Sequence, residues 1–448
     1  MKTLKYALRN DCKQKVSRGG ATTKMYNTSN LVSHSKTKHP ELYKKFESLK
    51  EQEMEEPTTS GEHTGEMICS KYKEMLEGWG IQKEQVHLIV RDNASNMVKA
   101  MREAAYPDLG CFAHTLQLII HDGVLSQRAV IDILTNCRKV VGHFKHSPLA
   151  YCRLKEIQQS LGIPQHHLKQ DEPTRWNSTL CMLQSVLEQK MALAAYGAEH
   201  DIPHLTPNQW DLIEKIVVVL NPVEEITRSI STEVASVSLI IPFIRAFRRT
   251  LEDHDNDRGI RTKKSEMLDS LNRRYGDAES KETLVLATLL DPRFKDKFFS
   301  GVHEKINAKE LLDDKVAEIT STDEPRLPSP KRPKTDLLKC FADILEEAGV
   351  EVDTHNAVVD KYLAEPLNPF HRGNSFTWWE ENKIRFPPIA KLSQRYLSAP
   401  PTSVPSERLF SGAGEIYDPK RNRLAPERAE MLLFIKNNLK LTGGKYAY

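Results

Sequence analysis

The sequence lacks any run of about eighteen apolar residues, the length that a helix needs to cross a membrane. It also lacks a legible signal peptide, because no long apolar segment follows the basic N-terminal stretch MKTLKYALRND. Its seven cysteines show no disulfide framework of regular spacings, and an odd count suits a reducing compartment. These absences predict a protein of the cytosol or nucleus that has no membrane partner.

A strong overall charge is missing as well. The net charge is only +3 over 448 residues, which excludes a uniformly basic protein that coats nucleic acid. Lysine and arginine are nevertheless dense within residues 1–50, so any basic nucleic-acid surface must be local. The length is sufficient for two or three domains, each with its own core.

Composition and pattern divide the chain into five segments. They are a basic unit at 1–50, an acidic junction at 51–63, a short α/β pattern at 64–128, mostly long helices at 129–385, and a C-terminal block at 386–448. Within the helical part, residues 321–336 (STDEPRLPSPKRPKTD) have the proline-rich, charged composition of a mobile linker.

Local patterns predict several elements. The apolar run 86–90 is typical of a buried strand, and a second run at 111–120 indicates a strand that passes into a helix. The sequence Thr206-Pro207-Asn208-Gln209 predicts a helix start, since threonine can cap, proline fits the first turn and glutamine completes a capping box.

Three potential zinc ligands, Cys12, His34 and His39, lie in the basic unit. With the string VSRGGATTKMYNTSNLVSHSKTKHP, they resemble the BED zinc finger, in which hairpin cysteines precede a helix bearing two histidines. Structural zinc requires four nitrogen or sulfur ligands. Arg9 stands three residues before Cys12, where a paired cysteine would complete the set, and arginine cannot bind zinc.

Two interpretations of this unit therefore stay open: a weakened three-ligand zinc site, or a basic helical tail without metal. In either case the resemblance implies contacts with double-stranded DNA. Lys36 and Lys38, on the histidine-bearing stretch, are the candidate phosphate contacts.

Asp92 directly follows the first predicted strand, where a carboxylate can bind Mg²⁺ on a rigid support. An aspartate at such a position is also common in turns and helix caps. The surrounding tracts HTGEMICSKYKEMLEGWGI, DNASNMVKA and LGCFAHTLQLII resemble the RNase H-like domain of hAT transposases. The resemblance implies that Asp92 matches the second metal-binding carboxylate and that Cys111 and His114 match a motif near the active site.

The tract TRWNSTLCML resembles the Arg-Trp element at the start of the helical insertion of the same family. Arg175 could hold a phosphate and Trp176 could stack on an unpaired base. A tryptophan that enters a helix more often packs in a core, and this interpretation is favoured. Another motif, LLDPRFK at residues 289–295, also resembles the family and is assigned no chemistry.

The C-terminal tract from Phe386 (FPPIAKLSQRYLSAPPTSVPSERLFSGAGEIYDPKRNRLAPERAEMLLFIKNN) most specifically resembles hAT transposases, in the region that serves dimerisation. The resemblance implies that Glu407 matches the third metal-binding carboxylate, although a glutamate there can also stabilise a helix N-terminus. The predicted dimerisation surface consists of Leu432, Leu433, Phe434 and Ile435, which a buried intramolecular helix would also provide.

The family's first catalytic aspartate has no counterpart in this chain. It belongs to the opening strand of the RNase H-like sheet, yet only about ten residues separate the finger-like unit, which ends near Leu49, from the tract that begins near Gly61, and no aspartate lies between Leu49 and Gly65. Two-metal chemistry needs carboxylates around both ions, so we expect Asp92 and Glu407 to be vestigial and Mg²⁺ to bind only if the core were complete.

The predicted fold class is therefore α+β and predominantly α-helical. It combines a degenerate BED finger, an incomplete RNase H-like core interrupted by a large all-α insertion, and a helical C-terminal dimerisation segment. The predicted function is that of a transposase-derived DNA-binding protein that forms a homodimer or higher oligomer, is catalytically inactive and regulates transcription. The basic cluster at 330–334 predicts import into the nucleus. Two alternatives stay open: an active hAT transposase that lacks a segment here, and a protein–protein interaction scaffold that does not bind DNA.

Overall fold

The computed structural model describes residues 6–8, 15–17, 64–253, 259–323, 355–370, 373–416 and 426–438. Residues Met1–Thr64 and Gly65–Tyr448 form separate units. In the first unit, strands β1 (Tyr6–Leu8) and β2 (Lys15–Ser17) pair antiparallel. The predicted zinc ligands of this unit, Cys12, His34 and His39, and its predicted DNA contacts, Lys36 and Lys38, lie outside the described residues. The basic cluster at 330–334 also lies outside them.

The second unit opens with a small α/β layer. Helix α1 (Gly65–Gly78) precedes strand β3 (Ile89–Arg91), and helix α2 (Ser95–Ala104) connects β3 to the parallel strand β4 (Asp108–Gly110). The two helices cover the strands around a small apolar cluster that includes Cys69, Ile89, Ala100, Met101 and Ala104.

The observed strands differ in extent from the predicted ones, although the first overlaps its prediction and the helical part of the second prediction is present. The first strand spans Ile89–Arg91, so it overlaps the predicted run at 86–90 but begins three residues later, after a short 3-10 helix at 83–85. The second apolar run forms a helix, and its strand is the less apolar Asp108–Gly110 just before it. Continuous apolar character does not distinguish a buried helix from a buried strand, and here nine apolar-rich residues were sufficient for a helix.

The remaining long elements of the described chain are helices, joined by turns and loops. They are α3 (Phe112–Ile120), α4 (Arg128–His146), α5 (Pro148–Ser160), α6 (Trp176–Glu188), α7 (Lys190–Glu199), α8 (Pro207–Ile230), α9 (Ile240–Glu252), α10 (Arg261–Tyr275), α11 (Glu282–Leu290), α12 (Val302–Asp323), α13 (His355–Ala364), α14 (Ser375–Asn382), α15 (Pro387–Leu397), α16 (Val404–Ile416) and α17 (Pro426–Asn438). A five-residue π-helix, His121–Leu125, continues α3.

The predicted helix start at Thr206 is confirmed. The Thr206 hydroxyl accepts a hydrogen bond from the Gln209 backbone nitrogen at 3.3 Å, and the Gln209 amide oxygen accepts one from the Thr206 nitrogen at 2.9 Å. These two bonds satisfy amide groups that the first turn of α8 leaves without partners. The helix then runs through Pro222 to Ile230.

One continuous apolar core joins the helices from α3 to α15. Helix α11 is at its centre, since each of its residues from Leu284 to Leu290 is buried. The predominantly α-helical fold class is confirmed, whereas a two-stranded sheet does not establish an RNase H-like core. No helix in the described ranges is long and apolar enough to span a membrane.

Candidate functional site at the carboxyl ends of the strands

Asp92 leaves β3 at its carboxyl end and lies half-buried. Its carboxylate oxygen Oδ1 accepts a hydrogen bond from the backbone nitrogen of Ala94 at 3.1 Å, the bond of an Asx turn leading into α2. The preceding residue, Arg91, forms an ion pair with Asp108 at 2.6 Å and donates to the Asp92 carbonyl at 3.0 Å. Asp92 thus makes the turn contacts that were left open as the alternative to metal binding.

The C-terminal block returns to this strand edge. The Cys111 nitrogen donates to the Arg91 carbonyl at 2.6 Å, and the Cys111 sulfur accepts from the Ser403 nitrogen at 3.3 Å. The Ser403 hydroxyl in turn donates to Glu407 Oε1 at 2.9 Å. A chain of hydrogen bonds therefore connects the end of β3 to the first turn of α16, across 292 residues of sequence between Cys111 and Ser403.

This arrangement brings the two predicted carboxylate segments together without gathering a metal-ligand cluster. Glu407 is exposed, Cys111 is completely buried, and His114 is exposed one helical turn beyond it. Among the described residues, no group of three or more His, Cys, Asp or Glu side chains is arranged to hold a metal ion. Cys111 contributes instead to the anchoring of the C-terminal block.

The two residues of the Arg-Trp element have opposite surroundings. Trp176 is 3% exposed and packs in the main core, as the favoured interpretation expected, so its ring is not accessible to a base. Its backbone nitrogen donates to Gln117 Oε1 at 2.8 Å, which connects the start of α6 to α3. Arg175 is exposed, and its side chain alone is accessible to a phosphate.

The last two helices present apolar side chains to solvent. Helices α16 and α17 pack against each other, and Ala429 at their contact is fully buried. On their outer surface Phe410 is 73% exposed, and Met431, Leu432, Phe434 and Ile435 are exposed as well, while Leu433 is partly buried. Exposed clusters of large apolar residues mark interaction surfaces.

The motif LLDPRFK, to which the sequence assigned no chemistry, forms a buried polar centre. Asp291 is inaccessible to solvent and accepts hydrogen bonds from Ser238 at 2.7 Å and from Arg293 at 2.6 Å. Lys295, also inaccessible, donates to the carbonyls of Tyr362 at 2.7 Å and Glu365 at 2.5 Å. Burial lowers the pKa of Lys295 to about 8. The sequence signal was available, since charged residues directly follow the mostly apolar stretch LVLATLL of α11.

Two family models match the regions that form this site. The hAT family C-terminal dimerisation region matches residues 359–439, and the ZBED1 RNase-like helical domain matches residues 109–219. The first contains Ser403, Glu407 and the exposed helices, and the second contains Cys111 and the Arg-Trp element. The chain is thus a hAT-derived protein with a helical C-terminal dimerisation region.

Among its relatives, human zinc finger BED domain-containing protein 4 is 30% identical over 86% of this chain and 34% of its own length. Human zinc finger BED domain-containing protein 6 is 28% identical over 80% of this chain and 40% of its own length. The maize putative AC transposase is 23% identical over 84% of this chain and 51% of its own length. The chain belongs with these hAT-derived, BED-type proteins and spans about a third to a half of the length of the relatives it matches.

Proposed function

We propose that this chain is a transposase-derived nuclear protein that self-associates through α16 and α17, binds double-stranded DNA, and does not cleave it. The observation that carries the proposal is the exposed apolar surface of these two helices within the matched dimerisation region. These properties would suit a regulator of transcription, because a dimer can occupy two half-sites on DNA.

The physical argument for self-association is the cost of exposed apolar area. Each large apolar side chain removed from water at an interface contributes roughly 1.5–3 kcal/mol when fully buried. Phe410, Met431, Leu432 and Ile435 lie on adjacent helices, so a second copy could cover all of them at once. Two copies of the same surface would form the symmetric contact that is typical of homodimers.

Self-association is tested by sedimentation of the full chain with one matched pair of variants. Met431 and Met191 are both 64% exposed and both lie in helices, but only Met431 is in the dimerisation region. We expect Met431→Asp to raise the dimer dissociation constant at least about tenfold, because an aspartate would be buried unpaired. Met191→Asp should leave it unchanged. Equal sedimentation of the two variants would refute the proposed surface.

The proposed DNA contacts are Lys36 and Lys38 in the finger-like unit and Arg175 at the start of α6. We expect binding to duplex DNA to weaken with salt, and the double variant Lys36→Gln, Lys38→Gln to flatten the slope of log K against log salt by about 2. Lys297→Gln combined with Lys383→Gln removes the same charge from other exposed positions and should not flatten it. If the binding of the unmodified chain to duplex DNA does not depend on salt concentration, the alternative of a protein–protein interaction scaffold is favoured instead.

The proposed lack of cleavage rests on the missing first aspartate and is supported by the contacts of Asp92 and Glu407, which bind Ala94 and Ser403. The test is incubation of supercoiled plasmid with the chain and Mg²⁺ or Mn²⁺. We expect no nicking above the level of the variant Asp92→Asn, Glu407→Gln. Nicking that this variant abolishes would restore the transposase interpretation. Zinc content, measured by mass spectrometry of the purified chain, tests separately whether Cys12, His34 and His39 retain a metal.

A further inference from the structure

A cavity of about 260 Å³ opens at the carboxyl ends of the two parallel strands. Arg91 and Gly110, the last residues of β3 and β4, form one wall. Arg274 and Tyr275 at the end of α10 and Lys281 just before α11 form the opposite wall. Ligands of open parallel sheets bind at this edge, in the crevice beyond the carboxyl ends of the strands.

The lining of the cavity has charge of one sign. Three of its residues are cationic, and none is acidic; the remaining lining residues are Asn93, Leu109, Gly110, Thr115, Leu118 and Tyr275. The acidic partners of the three cations are Asp108, Asp122 and Asp277, and none of them lines the cavity. Each cation is thus paired with an acid that lies outside the cavity lining, while all three cations line the cavity. A concentration of positive charge in one cavity attracts an anion.

Hydrogen-bond donors remain for such an anion. The Lys281 ammonium has three donors, of which one is directed to Asp277 at 3.0 Å. The Arg274 guanidinium has five donors, and its contact with Asp122 is a single one at 3.1 Å from Nη2. Arg91 is more fully used by Asp108 and the Asp92 carbonyl, so it supplies mainly charge.

The wall at the strand ends is fixed in shape. Asn93 donates from Nδ2 to Thr115 Oγ1 at 3.0 Å, and its Oδ1 lies against the Cα of Gly110, where a β-carbon would collide with it. Glycine at position 110 therefore leaves room for the Asn93 side chain that lines the cavity. The volume is slightly below the roughly 300 Å³ at which pockets for larger ligands begin, so it suits one or two phosphate groups rather than a whole nucleotide.

We propose that this cavity is a phosphate-binding site, with Lys281 and Arg274 as the donors and Arg91 as a supporting charge. The phosphate is supplied either by a nucleic-acid backbone or by a free phosphate ester. This site goes beyond the proposed function, because none of Arg91, Arg274 and Lys281 is among the DNA contacts proposed above.

The test uses the full chain with inorganic pyrophosphate as the probe, measured by titration calorimetry. Lys281→Glu should weaken pyrophosphate binding at least about tenfold, since charge-assisted hydrogen bonds are lost and a repulsive charge is added. Lys383→Glu is the matched control, because Lys383 also pairs with an acid within one helical turn, Glu380 at 2.6 Å, but does not line the cavity. If Lys281→Glu lowers the melting temperature, the milder variant Lys281→Gln replaces it in the test. Its affinity for pyrophosphate should lie between those of the unmodified chain and Lys281→Glu.

A labelled single-stranded oligonucleotide distinguishes the two sources of phosphate. If pyrophosphate displaces it and Lys281→Glu weakens both ligands, the site takes backbone phosphate; if only pyrophosphate depends on Lys281, it takes a free ester. Absence of Lys281-dependent binding of either ligand would overturn the proposal, as would equal losses in Lys281→Glu and Lys383→Glu. If the Lys36→Gln, Lys38→Gln variant does not change the salt dependence of DNA binding while pyrophosphate still binds through Lys281, only the DNA contacts under the proposed function are refuted.

Discussion

Arg138 binds both carboxylate oxygens of Asp171, with Nε at 3.1 Å from each and Nη2 at 2.7 Å from Oδ2. The carboxylate is inaccessible to solvent, and Thr179 on α6 donates to it at 3.2 Å. The ion pair thus attaches the loop before the Arg-Trp element to helix α4. It determines where Arg175 is presented, although neither partner belongs to the motif.

Arg138→Met should lower the free energy of unfolding by about 3–5 kcal/mol at pH 7, because it leaves a buried carboxylate without its cation. Arg128→Met is the control on the same helix. It removes an exposed pair with Asp132 and should cost less than about 1 kcal/mol. Unfolding in urea measures the free energy of unfolding of each variant. Equal losses in the two variants would show that the buried ion pair contributes no more stability than the exposed one.

The same pair predicts a pH dependence. Burial raises the pKa of Asp171, but the hydrogen bonds and charge of Arg138 outweigh burial and bring the pKa below its usual value of 3.8. A carboxyl whose pKa is lower in the folded state contributes stability above the unfolded pKa and loses it as the pH falls through the folded pKa. The difference in unfolding free energy between the unmodified chain and Arg138→Met should therefore shrink below pH 4. A constant difference down to pH 2 would contradict this.

Lys295→Met tests the buried polar centre. The variant should lose about 2–3 kcal/mol of unfolding free energy at pH 7, since the Tyr362 and Glu365 carbonyls lose a charged donor. Lys297→Met, which removes an exposed lysine two residues away, should change it by less than about 1 kcal/mol. Unfolding in urea is again the measurement.

Because the pKa of Lys295 is lowered, the difference in unfolding free energy between the unmodified chain and Lys295→Met should depend on pH above about 8. Between about pH 8 and the unfolded pKa of 10.5, the unfolded chain holds the proton that the folded chain has released. Stability conferred by this group therefore rises with pH in that window, because the penalty for burying a charge is relieved. The advantage of the unmodified chain over Lys295→Met should grow from pH 8 to pH 10; a shrinking advantage would contradict the assigned direction.

Gly123→Ala tests the π-helix. A β-carbon at Gly123 would lie 2.8 Å from the backbone nitrogen of Met267 on α10, so α10 and the π-helix must separate. Overpacking of this kind costs about 1–3 kcal/mol. At Gly142, inside α4, a β-carbon meets nothing within 4 Å, and Gly142→Ala should stabilise by about 0.5–1 kcal/mol. Thermal melting should move in opposite directions for the two variants, and a shift of the same sign would refute the packing argument.

Replacement of Lys331, Arg332 and Lys334 by alanine should reduce the nuclear fraction of a fluorescent fusion, because the predicted import signal loses its charges. The control replaces three dispersed basic residues, Arg261, Lys297 and Lys383, and should leave the distribution unchanged. Redistribution by both triple variants would indicate an effect of net charge rather than of a signal.

The sequence by itself determined the features that depend on neighbours along the chain. The capping box at Thr206 follows from spacing over a few residues, and the hAT motifs could be read directly from the printed letters. Strand positions were less accessible, because three-residue strands have almost no period of their own, and their apolar neighbours formed helices instead.

Only the tertiary structure decided which distant residues meet. The Cys111–Ser403 contact joins positions 292 residues apart, and neither residue type predicts the other. The structure also decided that Arg175 is exposed beside the buried Trp176, and that three cations line a cavity that none of their acidic partners lines. Burial and electrostatic environment are properties of the packed core, and packing depends on contacts between elements that no local pattern encodes.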